Sequence, residues 1–168
     1  PRLSLVIPAR DPDEPCLLRL LESIDAQDYP KHLLETLVIT RGNSEEAKAY
    51  GIQRARGAII GLLCADNVLL ESGFLTALVQ AASAPGVTGS YTARYAYIPG
   101  DKPLSRYFAL LGANDPLCWW LGRADRQSYA ASSGPRGVPQ TISFLAGQML
   151  PSIGDNGFFV KASLIKPH

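Results

Sequence analysis

The sequence lacks the features that mark several large classes of protein. Its charges are interspersed and no block of lysine or arginine occurs, so the basic footprint of a nucleic-acid-binding protein is missing. No stretch approaches the about 18 consecutive apolar residues of a membrane-spanning helix, and no secretory signal is recognisable. We therefore expect no nucleic-acid partner, and we expect any membrane association to come through parts outside these 168 residues.

Cysteine is scarce as well. The three cysteines, Cys16, Cys64 and Cys118, are odd in number and form no C-x-x-C pair. This usage suits a reducing compartment better than a zinc site or a disulfide framework. We expect a cytoplasmic protein, free or at the cytoplasmic face of a membrane, with the cysteines as small buried side chains. The chain begins without Met and already reads as a strand by Leu3, so we expect it to be a piece of a longer protein.

Common catalytic and nucleotide-binding motifs are absent too. The segment after the first apolar run, "PARDPDEP", matches neither G-x-G-x-x-G nor G-x-x-x-x-G-K-[ST], which argues against a dinucleotide-binding Rossmann domain and a P-loop protein. The chain has no H-E-x-x-H, no G-x-S-x-G and only two histidines. Metalloprotease and serine-hydrolase functions therefore have no support.

What is present is an alternation of strand and helix patterns. Apolar runs typical of buried strands occur at 3–8, 35–40 and 58–65, and each is followed by a helical pattern. Asp13 and Ser44 are the predicted N-caps of the first two helices. On the second helix Ala47, Gly51 and Ala55 share one face, so we expect it to pack unusually close to its neighbour. The pattern predicts a three-layer α/β/α fold with a mostly parallel, doubly wound sheet.

After residue 87 the pattern changes. A strand with one wetter face is predicted at 87–98, an aromatic-rich helical segment at 102–121, a loop at 129–140 and a possible strand at 141–150. The segment 151–165 reads as a turn and a short helix. We expect a single domain over 1–168, in which about 1–98 form a nucleotide-binding half and about 99–168 begin a second, acceptor-side half.

Polar side chains follow each of the first three predicted strands, at 9–11, 40–44 and 66–67. In open α/β sheets, ligands bind beyond the carboxyl ends of the strands, near the point where the strand order reverses. We therefore expect these three strand ends to form one ligand-binding crevice.

Four segments follow one another along the chain: "LSLVIPARDPDEPCLLRLLESIDAQDYP", a second strand with a Gly-Asn-Ser turn, "GIQRARGAIIGLLCADN" and "GDNGFFVKASLI". This ordered set resembles the family 2 glycosyltransferases of the GT-A fold. The resemblance covers most of the chain and is weak between Gly100 and Gln140. It implies an inverting hexosyltransferase that takes a nucleotide-diphosphate sugar, often of uridine or guanosine, and transfers the sugar to a glycan or lipid-linked acceptor. It also implies Mg²⁺ or Mn²⁺ on the diphosphate.

The family's D-x-D motif aligns with Cys64-Ala65-Asp66. The resemblance implies that Asp66 is the metal ligand, with Ala65 and Asn67 beside it at the nucleotide sugar. Cys64 replaces the aspartate that usually contacts the ribose or sugar, and a thiol is a poor partner for a hard cation. Asp66 and Asn67 are also ordinary turn residues at a junction between a strand and a helix.

The ends of the first two strands carry the remaining nucleotide-site candidates. The segment 8–14 resembles the family's P-A-x-N-E-E, which places the backbone of Pro8 and Ala9 at the base and Arg10 and Asp11 beside the nucleotide. Asp11 could equally form an Asx turn before Pro12.

Where the family often reads D-D-G-S, this chain has Thr40-Arg41-Gly42-Asn43. Thr40 could hydrogen-bond a base and Arg41 could point at phosphate.

"GDNG", at 154–157, resembles the family's G-x-N-G segment near the donor sugar and acceptor, although two glycines around Asp-Asn could also make a simple tight turn. Asn156 is the predicted sugar contact, and Asp155 is the catalytic candidate that could reach an acceptor hydroxyl. The family's usual base lies in an E-D pair further along, which this chain does not contain. The alternative function is therefore a nucleotide- or glycan-binding domain of the same fold without turnover.

Overall fold

The structure is a computed structural model that describes residues 1–92, 99–104, 106–107 and 157–166. Two compact units are distinguished, the first comprising Pro1–Tyr91 with Asp155–His168 and the second Thr92–Gly154. The first unit holds five strands and four helices among its described residues: β1 (Leu3–Pro8), α1 (Pro15–Asp25), β2 (Leu34–Ile39), α2 (Ser44–Arg54), β3 (Ile59–Leu62), α3 (Phe74–Ser83), β4 (Gly89–Tyr91), β5 (Phe158–Lys161) and α4 (Ala162–Ile165).

The five strands form one sheet in the order β2-β1-β3-β5-β4. β1 pairs in parallel with β2, in the register Leu3 opposite Leu34, and in parallel with β3, in the register Leu3 opposite Ile59. β5 is antiparallel to both of its neighbours, β3 and β4. The chain thus moves from β1 to one side and returns past it to the other, so that the strand order reverses at β1 and β3.

Helices cover both faces of this sheet. One core joins α1 and α3 to the face of β1 that carries Leu3, Leu5 and Ile7, and Phe159 of β5 completes it. The other core joins α2 and α4 to the opposite face through Val6, Ile60 and their neighbours. The expected three-layer, mostly parallel α/β architecture is therefore present.

The close approach of α2 that its small residues predict is confirmed. Ala47 and Ala55 are buried, and Gly51 faces β1 so tightly that an added Cβ would overlap Val6 Cγ1. A glycine is required here because the helix backbone lies directly against a β-branched side chain.

Several local predictions were wrong. Asp13 does not cap α1, because Glu14 occupies the N-cap position and makes no side-chain capping bond. The cap of α2 is Asn43 rather than Ser44. The segment 158–161, expected within a turn and helix, forms strand β5 before the short helix begins. Cys16 and Cys64 are half-buried rather than buried.

The second unit has few described residues, in which the Arg106 N–H donates to the Lys102 carbonyl at 3.0 Å. The predicted loop at 129–140 and strand at 141–150 lie outside the described residues. Across the parts of the chain that are described, no helix combines the length and apolar character needed to cross a membrane.

Candidate functional site

The candidate site lies at the carboxyl ends of β1, β2 and β3. Because all three strands are parallel neighbours, their carboxyl ends lie at one edge of the sheet, where the strand order reverses at β1 and β3. The contact between the β1 and β2 ends is direct, since the Ala9 N–H donates to the Ile39 carbonyl at 3.0 Å. Beyond its last paired residue, β3 continues beside β1 through a bond from the Leu63 N–H to the Val6 carbonyl at 3.2 Å.

At the end of β1 the chain makes a tight polar turn. Asp11 Oδ1 accepts a hydrogen bond from the Asp13 N–H at 3.0 Å, so Asp11 forms an Asx turn. Pro8 and Ala9 are half-buried at the end of the strand, whereas Arg10 and Asp11 are exposed. The turn uses one carboxylate oxygen of Asp11, and its role at a nucleotide stays a prediction.

The turn after β2 is fixed by a capping box. Asn43 Oδ1 accepts from the Glu46 N–H at 2.9 Å, and Glu46 Oε2 accepts from the Asn43 N–H at 3.1 Å. Gly42 has a φ of +71° and lies against the Glu46 side chain, which favours glycine at this position. Thr40 and Arg41, just before this turn, are exposed.

Arg41 makes a specific contact of its own. Its Cζ lies 4.5 Å from the centroid of the Tyr50 ring on α2, and Arg54 Cζ lies 4.4 Å from the same centroid. Both distances fit cation–π stacking. Tyr50 and Arg54 were not predicted as site residues, although the i, i+4 spacing of an aromatic and a basic residue on one helix was a visible signal.

The turn after β3 carries Asp66 at its apex. The Cys64 N–H donates to Asn67 Oδ1 at 3.2 Å, and the Asn67 N–H donates to the Cys64 carbonyl at 3.1 Å. These reciprocal bonds close the turn and leave the Asp66 side chain exposed, while Cys64 and Ala65 are half-buried. The turn-forming role that the sequence leaves open for Asn67 is therefore confirmed.

Ser23 of α1 and Gln27, just after the end of this helix, hold the loop that follows Asp66. The Leu69 N–H donates to Ser23 Oγ at 3.0 Å. The buried side chain of Gln27 donates to the Glu71 carbonyl at 3.0 Å and accepts from the Leu75 N–H at 3.1 Å, which caps the start of α3. Gln27 was not predicted as a structural residue, but a polar residue three positions after the apolar Ile24, just beyond the end of α1, was a detectable signal.

The segment that follows Asn156 also reaches this edge. Gly157, with a φ of +72°, donates its N–H to the Leu62 carbonyl at the end of β3 at 2.9 Å. Asp155 and Asn156 themselves lie outside the described residues, so the catalytic and sugar-binding roles predicted for them are not placed.

The ligand set available for a metal ion is small. Among the described residues no group of three or more His, Cys, Asp or Glu side chains could hold one. Asp66 offers an exposed hard carboxylate, which fits an ion that takes most of its oxygen ligands from a bound diphosphate and water.

Cys16 lies in the first turn of α1, and its thiol is a weak nucleophile. Loss of solvent and the neighbouring Glu14 raise the pKa of its thiol. The side chain therefore remains a neutral thiol near pH 7, and a thiolate nucleophile is disfavoured.

Two solved structures illustrate what the chain is similar to. The mannosyltransferase PcManGT from Pyrobaculum calidifontis, solved with GDP-Man and Mn²⁺, matches 66% of this chain at 20% identity with a TM-score of 0.49. S. aureus TarS, residues 1–349, matches 69% at 12% identity with a TM-score of 0.41. The matches span 38% and 46% of those proteins.

No protein-family model matches the sequence, and no curated protein matches it either.

Proposed function

We propose that the chain binds a nucleotide-diphosphate sugar at the crevice formed by the ends of β1, β2 and β3, as the donor-binding part of an inverting glycosyltransferase of family 2. The observation that carries the proposal is the meeting of these ends with Gly157 at one edge of the sheet, at the reversal of strand order. The segments that meet are those that resemble the family's motifs, and they occur in the same chain order.

The nucleotide is assigned to the ends of β1 and β2. Pro8 and Ala9 present backbone groups at the edge where a base would lie, and the exposed Asp11 and Thr40 offer polar atoms to the base or ribose. Arg10, which is exposed at the end of β1, is assigned to the same nucleotide.

The diphosphate and sugar are assigned to the turn after β3. Asp66 would hold Mg²⁺ or Mn²⁺, with Ala65 and Asn67 lining the same turn, and the ion would offset the charge that develops on a departing nucleoside diphosphate. Asn156 and Asp155 are assigned to the sugar and acceptor because they directly precede Gly157.

The acceptor is proposed to be a glycan or a lipid-linked molecule, as in the synthesis of cell-envelope polysaccharide or glycolipid. The scattered cysteines favour the cytoplasm. Any attachment to the membrane's cytoplasmic face would come through parts outside this chain.

A second candidate is a nucleotide- or glycan-binding domain without turnover. The observation that favours it is Cys64, whose half-buried thiol stands where the family has an aspartate. Both candidates require nucleotide binding, and only the first predicts release of nucleoside diphosphate from the donor when acceptor is present in the full-length protein.

Calorimetric titration of the chain with uridine and guanosine diphosphates, with and without Mn²⁺, tests the shared premise. We expect saturable binding that Mn²⁺ strengthens about tenfold or more, and Asp66→Ala should abolish this strengthening. Asp25→Ala is the matched control, since its carboxylate is also exposed but lies at the opposite end of α1, paired with Lys31. Binding that stays equally metal-dependent in Asp66→Ala would refute the metal assignment.

A further inference from the structure

Tyr50 on α2 is contacted by two guanidinium groups, one from outside the helix and one from its last turn. The Cζ atoms of Arg41 and Arg54 lie 4.5 and 4.4 Å from its ring centroid, so they are no more than about 9 Å apart. Both arginines are exposed and the tyrosine is half-buried. These three residues are called the Arg–Tyr–Arg cluster below.

The positive charge of this cluster is not neutralised within the described part of the chain. None of the ion pairs described there involves Arg41 or Arg54. The carboxylates nearest in the chain have other hydrogen-bond partners, since Glu45 pairs with Lys48 and Glu46 accepts from the backbone N–H of residue 43, and neither forms an ion pair with the two arginines.

Two like charges on one ring repel each other, and the attraction of each guanidinium group to the ring offsets this repulsion. The same contact lowers the mobility of both side chains. The result is a pair of guanidinium groups held in advance of any ligand. Planar guanidinium groups with several N–H donors bind phosphate oxygens through paired hydrogen bonds, and holding them in place lowers the entropy cost of binding.

The Arg–Tyr–Arg cluster lies beside the strand ends rather than over them. α2 connects the end of β2 to the start of β3, so it runs away from the candidate site, and Tyr50 is its seventh residue. At a rise of about 1.5 Å per residue, Tyr50 lies about 9 Å from the start of the helix. Arg41 lies two residues after the last residue of β2, so the cluster begins next to the candidate site.

We propose that the Arg–Tyr–Arg cluster is a phosphate-binding site. Its ligand is a phosphorylated molecule, either the diphosphate of the nucleotide itself or a separate phosphate group such as one on an acceptor. The cluster itself is independent of the transferase proposal, because it requires only two guanidinium groups that stack on one aromatic ring and form no ion pair among the described residues.

Titration with inorganic pyrophosphate, without metal and at low ionic strength, tests this site in the intact chain. Arg41→Gln and Arg54→Gln should each weaken binding about fivefold or more, and Tyr50→Leu should weaken it by a similar factor because the guanidinium groups lose their support. Tyr50→Phe, which keeps the ring, should bind as the wild type does. Arg19→Gln is the matched control, since it removes the same charge from an exposed position on α1.

The outcomes separate local binding from general attraction. If Arg19→Gln weakens pyrophosphate binding as much as Arg54→Gln does, the effect is non-specific screening and the proposal is wrong. The absence of saturable pyrophosphate binding in the wild type would also overturn it.

A second arm identifies the source of the phosphate. If Arg54→Gln weakens binding of guanosine diphosphate with Mn²⁺ by the same factor, the ligand is the nucleotide's own diphosphate. If that affinity is unchanged while pyrophosphate binding falls, the ligand is a separate phosphorylated molecule. Since Asp66→Ala reports on the donor crevice and Arg54→Gln on the cluster, either proposal can fail while the other holds.

Discussion

Replacing Glu35 by glutamine tests a buried polar network at the edge of the sheet opposite the candidate site. Glu35 Oε2 accepts from Ser4 Oγ at 2.5 Å and from the Arg56 N–H at 2.8 Å, and Oε1 accepts from Arg56 Nε at 2.6 Å. Ser4 Oγ in turn accepts from the Gly57 N–H at 2.7 Å. One carboxylate therefore ties β1 and β2 to the connection between α2 and β3.

The magnitude follows from the pKa of Glu35. Burial opposes ionisation, but the hydrogen bonds from Ser4 and Arg56 outweigh it and lower the pKa from 4.5 to about 2. At about 1.4 kcal/mol per pKa unit, the ionised form stabilises the fold by about 3 kcal/mol. The Arg56 side chain is 69% exposed, so solvent screens its share, and we expect Glu35→Gln to lower the free energy of unfolding by about 2 kcal/mol.

The pH dependence follows from the sign of this change. Because the folded pKa lies below the unfolded one, the stabilisation is complete above about pH 4.5 and is lost as the pH falls toward 2. Roughly 40% of the difference between wild type and Glu35→Gln should remain at pH 3.

Urea unfolding followed by circular dichroism between pH 7 and pH 3 measures this difference. Glu22→Gln removes an exposed carboxylate from α1 and serves as the control, with an expected change below about 0.5 kcal/mol. A difference for Glu35→Gln that does not shrink on acidification would refute the assignment of the network to the ionised carboxylate.

Two further substitutions probe the packing that supports the site. Gly51→Ala should lower the free energy of unfolding by about 2 kcal/mol in urea titrations, because the new Cβ would overlap Val6. This loss is expected despite the better helix propensity of alanine. An unchanged unfolding midpoint would contradict the close approach of α2 to β1. Gln27→Met, which preserves side-chain length, should cost about 2 kcal/mol and increase amide exchange at the start of α3, since the Leu75 N–H loses its partner. Unaltered exchange there would show that Gln27 does not cap the helix.

The sequence predicted most accurately what depends on local patterns. The first strand was predicted at 3–8 and lies at Leu3–Pro8, and the second, predicted at 35–40, differs by one residue at each end. The convergence of the strand ends also followed, because the parallel βαβ order dictates it. Caps were less predictable, since Asn43 and Ser44 are adjacent residues with similar capping chemistry.

Features that depend on distant partners were missed. β5 is four residues long, and its apolar pattern does not separate a strand from a helix. Its partners are β3 and β4, which lie many tens of residues earlier in the chain, so no local signal specifies the pairing. The stacking of Arg41 on Tyr50 was likewise invisible, because it depends on how the turn after β2 directs a long side chain along α2.

The edge opposite the candidate site also carries the contacts that close the helices. Lysines from later segments reach the carboxyl ends of the three long helices. Lys31 donates to the Ile24 and Asp25 carbonyls of α1, Lys161 donates to the Ala84 carbonyl after α3, and Lys166 donates to carbonyls at the end of α2. A cation at the carboxyl end of a helix hydrogen-bonds the unpaired carbonyls and interacts favourably with the helix dipole.

This arrangement separates the groups that stabilise the fold from those proposed to bind ligand. Glu35 and the capping lysines act at the amino ends of the strands, whereas Thr40, Arg41 and Asp66 are exposed at or beside the carboxyl ends, where backbone bonds and Asn side chains form the turns. Substituting an exposed side chain of this kind should change stability by less than about 0.5 kcal/mol. A loss of nucleotide binding in Asp66→Ala at unchanged stability would therefore report on the ligand and not on the fold.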